Sequence, residues 1–335
     1  MADREAEAAR LALPVLTLLR PALLALLAVG LSFASGERAR SGEIDLMAPI
    51  AGLALREPPD PPRPGERPFY SETAPNPNWN VAQWNIPREK LSSFARRGGR
   101  FEASAPAARI LATLDGAAEL ALAQDGSVLP CTVADGAPRE FDLFLGPNGP
   151  DLAGAGAVGW LANGAKAPAL SELNRLTLHA TASYGGSLAP TNKGCGVNQG
   201  GVLLALILSN PEASPPQTLF YQLHLGRVCG TGDPAHDASC RAPPQRQVYF
   251  FAQNPFGVDD YLPLAGEPWL DRDEERAVRT DVLPRLMTAL AEAPPGMERD
   301  PARWRVTGFY AGQNIWGDIR LSTRWSGLRV VAETR

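Results

Sequence analysis

The chain has 335 residues, of which 44% are hydrophobic and 20% charged, with 32 glycines and 32 prolines. Apolar segments this frequent exclude a disordered chain, and glycine without a triplet period excludes a collagen-like one. A net charge of −4 at pH 7 gives no electrostatic footprint for wrapping nucleic acid, so no nucleic-acid partner is expected.

Residues 1–36 read as an address, a signal peptide or N-terminal anchor. Arg4, Arg10 and Arg20 precede or flank the uncharged run 21–31, and small residues follow at Ser32, Ala34 and Gly36. The run is shorter than the ~20 residues that span a bilayer, which suits a cleaved leader. The alternative is an uncleaved anchor that begins at Leu11 and contains Arg20. Either way the body is expected to be periplasmic or secreted, touching a membrane only through this segment. Residues 37–68 read as a Pro-rich linker. Six prolines between Arg56 and Pro68 favour extended polyproline and cannot pair as a central strand. The folded domain is expected over 69–335.

In that domain, Asn78-Trp79-Asn80-Val81-Ala82-Gln83-Trp84 sends its two indoles to opposite sides if it is a strand, leaving Trp84 as a candidate ligand ring. Asp115-Gly116, Asp125-Gly126 and Asp135-Gly136 recur every ten residues and supply the positive backbone angles of tight hairpins. The runs 109–114, 117–123, 128–133 and 141–145 around them predict an antiparallel meander. A helix squeezed into 117–124 would be marginal. Further strands are expected at 175–184, 202–208, 218–228 and 247–253, the last two as a hairpin. One helix is predicted, capped by Asp281, with Pro284 in its first turn and Pro294-Pro295-Gly296 ending it. Strands at 303–310, 318–325 and 328–332 close the chain. The pattern indicates an all-β fold: a two-sheet antiparallel β-sandwich, jelly-roll-like and concanavalin-like, with one or two short helices.

Four cysteines in an exported chain read as two disulfides, Cys229–Cys240 across a local loop and Cys131–Cys195 as the remaining pair. Zinc at Cys229, His236 and Cys240 is the competing reading, but no CxxC knuckle is present. No cofactor or metal is expected. Asp259, Asp260, Asp271 and Asp273 carry the hard oxygens calcium takes, although without EF-hand spacing.

The run 218–225 places Gln222 and His224 on one face with Phe220, and Leu219, Tyr221, Leu223 and Leu225 on the other. A sheet face with an amide and an imidazole needs partners for both. Gln222-Leu223-His224 resembles the Gln-aliphatic-His strand of jelly-roll alginate lyases, and Gly308-Phe309-Tyr310 is similar to their C-terminal Tyr-containing strand. The resemblance implies polysaccharide lyase chemistry on an acidic glycan, with Gln222 at the uronate carboxylate and His224 and Tyr310 handling the adjacent proton. The family's Arg-x-Glu-x-Arg strand has no counterpart here; Glu172 and Arg175 come nearest, at a different spacing.

Between Trp304 and Trp325 lies the densest block of aromatic and planar polar groups. Gln313, Asn314, Trp316, Asp318, Arg320 and Arg324 fall within twelve residues. Sugars want exposed rings with bidentate amides, carboxylates or guanidinium groups beside them. In 318–325, Asp318, Arg320 and Arg324 share one face and Trp325 falls on the core side. The segment 299–335 is basic, with seven arginines against three acids, which suits an anionic glycan or acidic surface. Carboxylate pairs for glycosidic hydrolysis do not stand out; Glu172 and Glu267 are the nearest. The sequence therefore points first to an exported β-sandwich that recognises a polysaccharide or cell-surface glycan. A polysaccharide lyase or glycoside hydrolase is the alternative, and a structural envelope component the second.

Overall fold

The computed structural model describes residues 42–56, 69–75, 77–84, 91–133, 136–147, 167–189, 194–230, 245–250 and 255–335. Residues 43–335 form one compact unit. Its elements are β1 (Glu43–Asp45), β2 (Leu53–Arg56), β3 (Phe69–Glu72), β4 (Trp79–Trp84), β5 (Ala95–Arg97), β6 (Arg100–Ala105), β7 (Ala108–Thr113), β8 (Glu119–Asp125), β9 (Glu140–Pro147), β10 (Leu173–Leu188), β11 (Gln199–Asn210), β12 (Gln217–Cys229), β13 (Gln247–Phe250), β14 (Pro255–Tyr261), β15 (Arg276–Asp281), α1 (Leu283–Ala291), β16 (Arg305–Trp316) and β17 (Ile319–Thr334). An eight-stranded sheet runs β15-β10-β17-β8-β7-β6-β5, with β1 also on β17. A nine-stranded sheet runs β13-β14-β12-β11-β16-β9-β4-β2-β3. The fold is the expected jelly-roll-like β-sandwich.

The domain begins earlier than the proline pattern predicts. Glu43–Asp45 pairs with β17, and Leu53–Arg56 lies between β3 and β4. Leu53 and Leu55 are fully buried, and that apolar alternation outweighs proximity to the prolines. Residues 57–68, which hold the prolines, and the leader 1–36 lie outside the described residues.

Alternation holds the two sheets together. Val202, Leu204, Leu206 and Leu208 of β11 and Leu219, Tyr221, Leu223 and Leu225 of β12 meet Leu176, Leu178, Leu321 and Trp325 of the opposite sheet in one core. Each such side chain contributes roughly 1.5–3 kcal/mol on burial. Trp79 lies in this core while Trp84 leaves it, as their spacing predicts. The N-cap of α1 is Val282, without a side-chain cap, rather than Asp281; one residue earlier, the Asp281 carboxylate accepts from the Leu283 N–H at 3.1 Å.

Some local expectations fail for identifiable reasons. Asp125-Gly126 makes no hairpin. Asp125 instead caps a short 3-10 turn by accepting from the Ser127 N–H, so 128–133 is not a regular strand. A Cβ on Gly126 would sit 2.0 Å from the Gly317 carbonyl, so this glycine serves a close crossing. Strands β12 and β13 do not pair, because β14 inserts between them, parallel to β12 and antiparallel to β13. The strands expected at 318–325 and 328–332 are one long strand, Ile319–Thr334, with Gly327 at φ 60° inside it.

The Cys131–Cys195 bridge forms as expected, with Cα atoms 5.3 Å apart. Cys229 is also disulfide-bonded; Cys240 lies outside the described residues.

A polar chain crosses the dry core. Gln124 Nε2 donates to the Phe141 carbonyl at 2.8 Å. Gln313 Nε2 donates to Gln124 Oε1 at 2.9 Å and to the Leu321 carbonyl at 3.0 Å. The Thr323 hydroxyl donates to Gln313 Oε1 at 2.7 Å, and the Trp325 indole donates to Thr323 at 2.8 Å. Every member is satisfied, so the chain joins the sheets and excludes slipped registers. Replacing Gln313 by Ala leaves the buried Gln124 Oε1 and the Thr323 hydroxyl proton without the partner that Gln313 gave them. This should cost about 2–4 kcal/mol by urea denaturation; an unchanged midpoint would refute the network's role.

Candidate functional site

The face of the nine-stranded sheet turned away from the core collects the remaining chemistry. On β9, Phe141, Leu143 and Leu145 enter the core, so Glu140, Asp142 and Phe144 project from the outer face. Neighbouring β16 opposes Trp316 to Glu140 and Asn314 to Asp142. Asn314 Nδ2 donates to Glu140 Oε1 at 3.1 Å. Burial raises the Asp142 carboxyl well above the usual range, and the Glu140 charge raises it further. Burial also raises Glu140, against hydrogen bonds from Asn314 and Asp142, with the Asp259 charge adding to the rise. Burial thus holds both carboxyls above the usual range, Asp142 further than Glu140.

Gly201 on β11 opposes Asn314. A Cβ there would come within 2.5 Å of Asn314 Oδ1 and 3.3 Å of His224 Nδ1. The missing side chain lets both groups lie over the strand. His224 Nε2 is 3.4 Å from Asp259 Oδ1, but the two are not aligned as a hydrogen bond. Tyr261 stacks on His224 with ring centroids 5.1 Å apart. The Arg227 guanidinium lies 5.5 Å from the Tyr261 ring centroid. Burial, with the charge of Asp259, pushes the Tyr261 phenol up to about 12, so it remains neutral at physiological pH. Both His224 nitrogens, Asp259 Oδ1 and Asn314 Oδ1 are buried with no hydrogen-bond partner. Such atoms cost roughly 1–3 kcal/mol each when unmet.

An aromatic platform adjoins this polar row. Trp84 packs at 5.5 Å from Phe144 and 5.7 Å from Tyr310, and Phe144 and Tyr310 are 6.2 Å apart. Leu203 and Ala205 support the rings. Gly146 lies close beneath Tyr310: a Cβ there would be 2.7 Å from its ring. Trp84, Tyr310 and Trp316 are each partly exposed.

Six sequence candidates therefore share this face: Gln222, His224, Tyr310, Trp84, Asn314 and Trp316. The others do not. Gln313 is in the core, because it alternates with Asn314 along β16. Asp318 is buried in the β16–β17 turn, and its N–H donates to Asn198 Oδ1 at 2.7 Å; it precedes β17 and does not share the arginine face. Arg320 and Arg324 are exposed on the eight-stranded sheet, where Arg320 pairs with Asp125 at 3.0 Å. The four aspartates suggested for calcium do not converge. Asp259 faces outward, whereas Asp260 faces inward to Tyr221 and Arg285, and no group of three or more potential metal ligands occurs among the described residues. Glu172 caps the Ala169 N–H and Glu267 accepts from Thr280, so neither belongs to the site. Sequence reasoning missed Glu140, Asp142, Phe144, Asp259 and Tyr261 as members of it. The alternation Glu140-x-Asp142-x-Phe144 was the available signal.

No protein-family model and no curated protein sequence matches the chain. Among solved structures, the catalytic domain of Humicola grisea Cel12A shares 10% identity with a TM-score of 0.38, covering 72% of this chain and 97% of that one. The Trichoderma harzianum endoglucanase 3 of family GH12 shares 10% identity, TM-score 0.38, covering 77% and 98%. The family 11 xylanase of Neocallimastix patriciarum shares 8% identity, TM-score 0.29, covering 76% and 95%.

The raised Asp142 pKa makes a signed prediction. A carboxyl raised on folding stabilises fully below its unfolded value, and that contribution is lost as pH climbs through the raised value. Asp142→Asn can still donate to Glu140 without that loss. The variant should match wild type near pH 4 and melt a few degrees higher near pH 8. A melting difference that does not change with pH would contradict the raised Asp142 carboxyl.

Proposed function

We propose that the outer face of the nine-stranded sheet recognises a polysaccharide outside the cytoplasm. The observation that carries this reading is the juxtaposition of a three-ring platform with a row of buried, unmatched polar atoms. Sugar rings stack their C–H faces on Trp84 and Tyr310, while their hydroxyls engage Asn314, His224 and Glu140. Three carboxyls, Glu140, Asp142 and Asp259, occupy the face, and Arg227 stacks on Tyr261. A neutral chain therefore fits better than a uronate. The same charge pattern argues against lyase action, which needs a cation at the uronate carboxylate.

A second reading has its own observation. Carboxyls held partly protonated can serve as acid and base in glycosidic hydrolysis. Hydrolysis, however, needs carboxyl groups ~5–9.5 Å apart across the scissile bond. Glu140 and Asp142 are hydrogen-bonded to each other, and the group facing Glu140 from β16 is the amide of Asn314. Binding without cleavage is the better fit.

Affinity electrophoresis through neutral and uronate polysaccharides tests the proposal, alongside a reducing-end assay. Retardation by a neutral glycan is expected, weakened about tenfold by Trp84→Ala, since a lost stacking contact is worth ~1 kcal/mol or more. Reducing ends released by wild type but not by Glu140→Gln would move the assignment to hydrolysis. No retardation by any glycan would overturn it.

A further inference from the structure

We propose that the β5–β6 hairpin, at the edge of the eight-stranded sheet, is a second binding element that takes an anionic polysaccharide. Its sequence is Ala95-Arg96-Arg97-Gly98-Gly99-Arg100-Phe101-Glu102. Gly98 and Gly99 sit at φ 55° and 82° and make the tight turn. A Cβ on either would meet nothing within 4 Å, so both turn residues border open space. Arg96, Arg97 and Arg100 are all exposed.

The register sets Arg97 directly opposite Arg100. Like charges facing each other across an antiparallel pair are destabilising. The nearby carboxylate, Glu102, does not relieve them, because it pairs with Arg109 at 2.9 Å. Arg96 lies over the Phe101 ring at 5.7 Å, which holds its guanidinium in place. Among the described residues, no carboxylate forms an ion pair with Arg96, Arg97 or Arg100. Next to the tip, Arg100 and Arg324 line one cavity of about 350 Å³. Glu119 and Glu275 line it too, so the unbalanced charge belongs to the hairpin itself.

An edge strand needs some charge to block sheet-to-sheet pairing. That need does not call for two guanidinium groups in register. Planar guanidinium groups match carboxylate, sulfate and phosphate oxygens bidentately. Three cations fall below the four to eight that anchor a protein to anionic lipid, and a narrow tip suits a linear chain. The hairpin belongs to the opposite sheet from the carboxyl-lined face, so the two surfaces select different charges independently.

The test uses the full chain and polygalacturonate as probe. Dextran and vesicles of phosphatidylcholine with and without phosphatidylglycerol serve as further arms. Wild type should bind polygalacturonate at low salt, lose it as salt rises, and ignore dextran through this surface. The R96Q/R97Q/R100Q variant should bind at least about tenfold more weakly while melting no lower than wild type, and R96K/R97K/R100K should fall between. Trp84→Ala should leave polygalacturonate binding unchanged, which separates this surface from the glycan face. Unaltered binding by the glutamine variant, loss on Trp84→Ala instead, or binding to anionic vesicles alone would each overturn the proposal.

Discussion

The register of β16 governs everything on the outer face of the nine-stranded sheet, and it is fixed from the opposite side of the strand. Gln313 and Asn314 are neighbours in sequence and point in opposite directions. Gln313 enters the dry core, where Gln124, Thr323 and the Leu321 carbonyl satisfy it. Asn314 then lies opposite Asp142 and donates to Glu140, and Tyr310 joins the aromatic platform. A slip of one residue would bury an unmatched amide and exchange the two faces. The interior network and the exterior site are thus consequences of a single alignment.

Small residues do complementary work. Gly201 leaves room for Asn314 and His224, and Gly146 leaves room for the Tyr310 ring. A third glycine, Gly312, would place a Cβ 2.3 Å from the Leu143 carbonyl, so β16 and β9 can approach only without it. Side chains at these positions would lift the polar and aromatic groups off the strands that carry them. Farther along the face, Arg285 holds Asp260 from the inside, with the Tyr221 hydroxyl donating to the same carboxylate at 2.8 Å. Burial pushes Asp260 up, but those partners outweigh it and leave it below the usual range. That buried clamp fixes β14, and so places Tyr261 opposite His224 and Asp259 opposite Gln222.

Much of this was readable from alternation alone. Gln222 and His224 against Leu219, Tyr221 and Leu223, Trp84 against Trp79, and Trp325 against the arginines of β17 all sort as a period of two requires. What alternation could not supply was which strands are neighbours. Glu140 and Asp142 sit beside what looked like an apolar run, and they gain meaning only once β16 brings Asn314 alongside. Arg320 and Arg324 looked like partners of Asn314 because they are close in sequence. A turn at Gly317 instead carries them to the other sheet. Asp125-Gly126 carried a hairpin signal, but a close backbone crossing decided its role. The proline cluster itself lies outside the described residues, but two strands before it belong to the sandwich.

The central claim is that a sugar chain lies along the outer face over Trp84, Tyr310 and Asn314. A crystal structure with a neutral oligosaccharide retained by the protein tests it most directly. The account predicts sugar rings against Trp84 and Tyr310, with hydroxyls hydrogen-bonded to His224 and Asn314. Sugar seated only on the eight-stranded sheet, with the outer face of the other sheet unchanged, would contradict it.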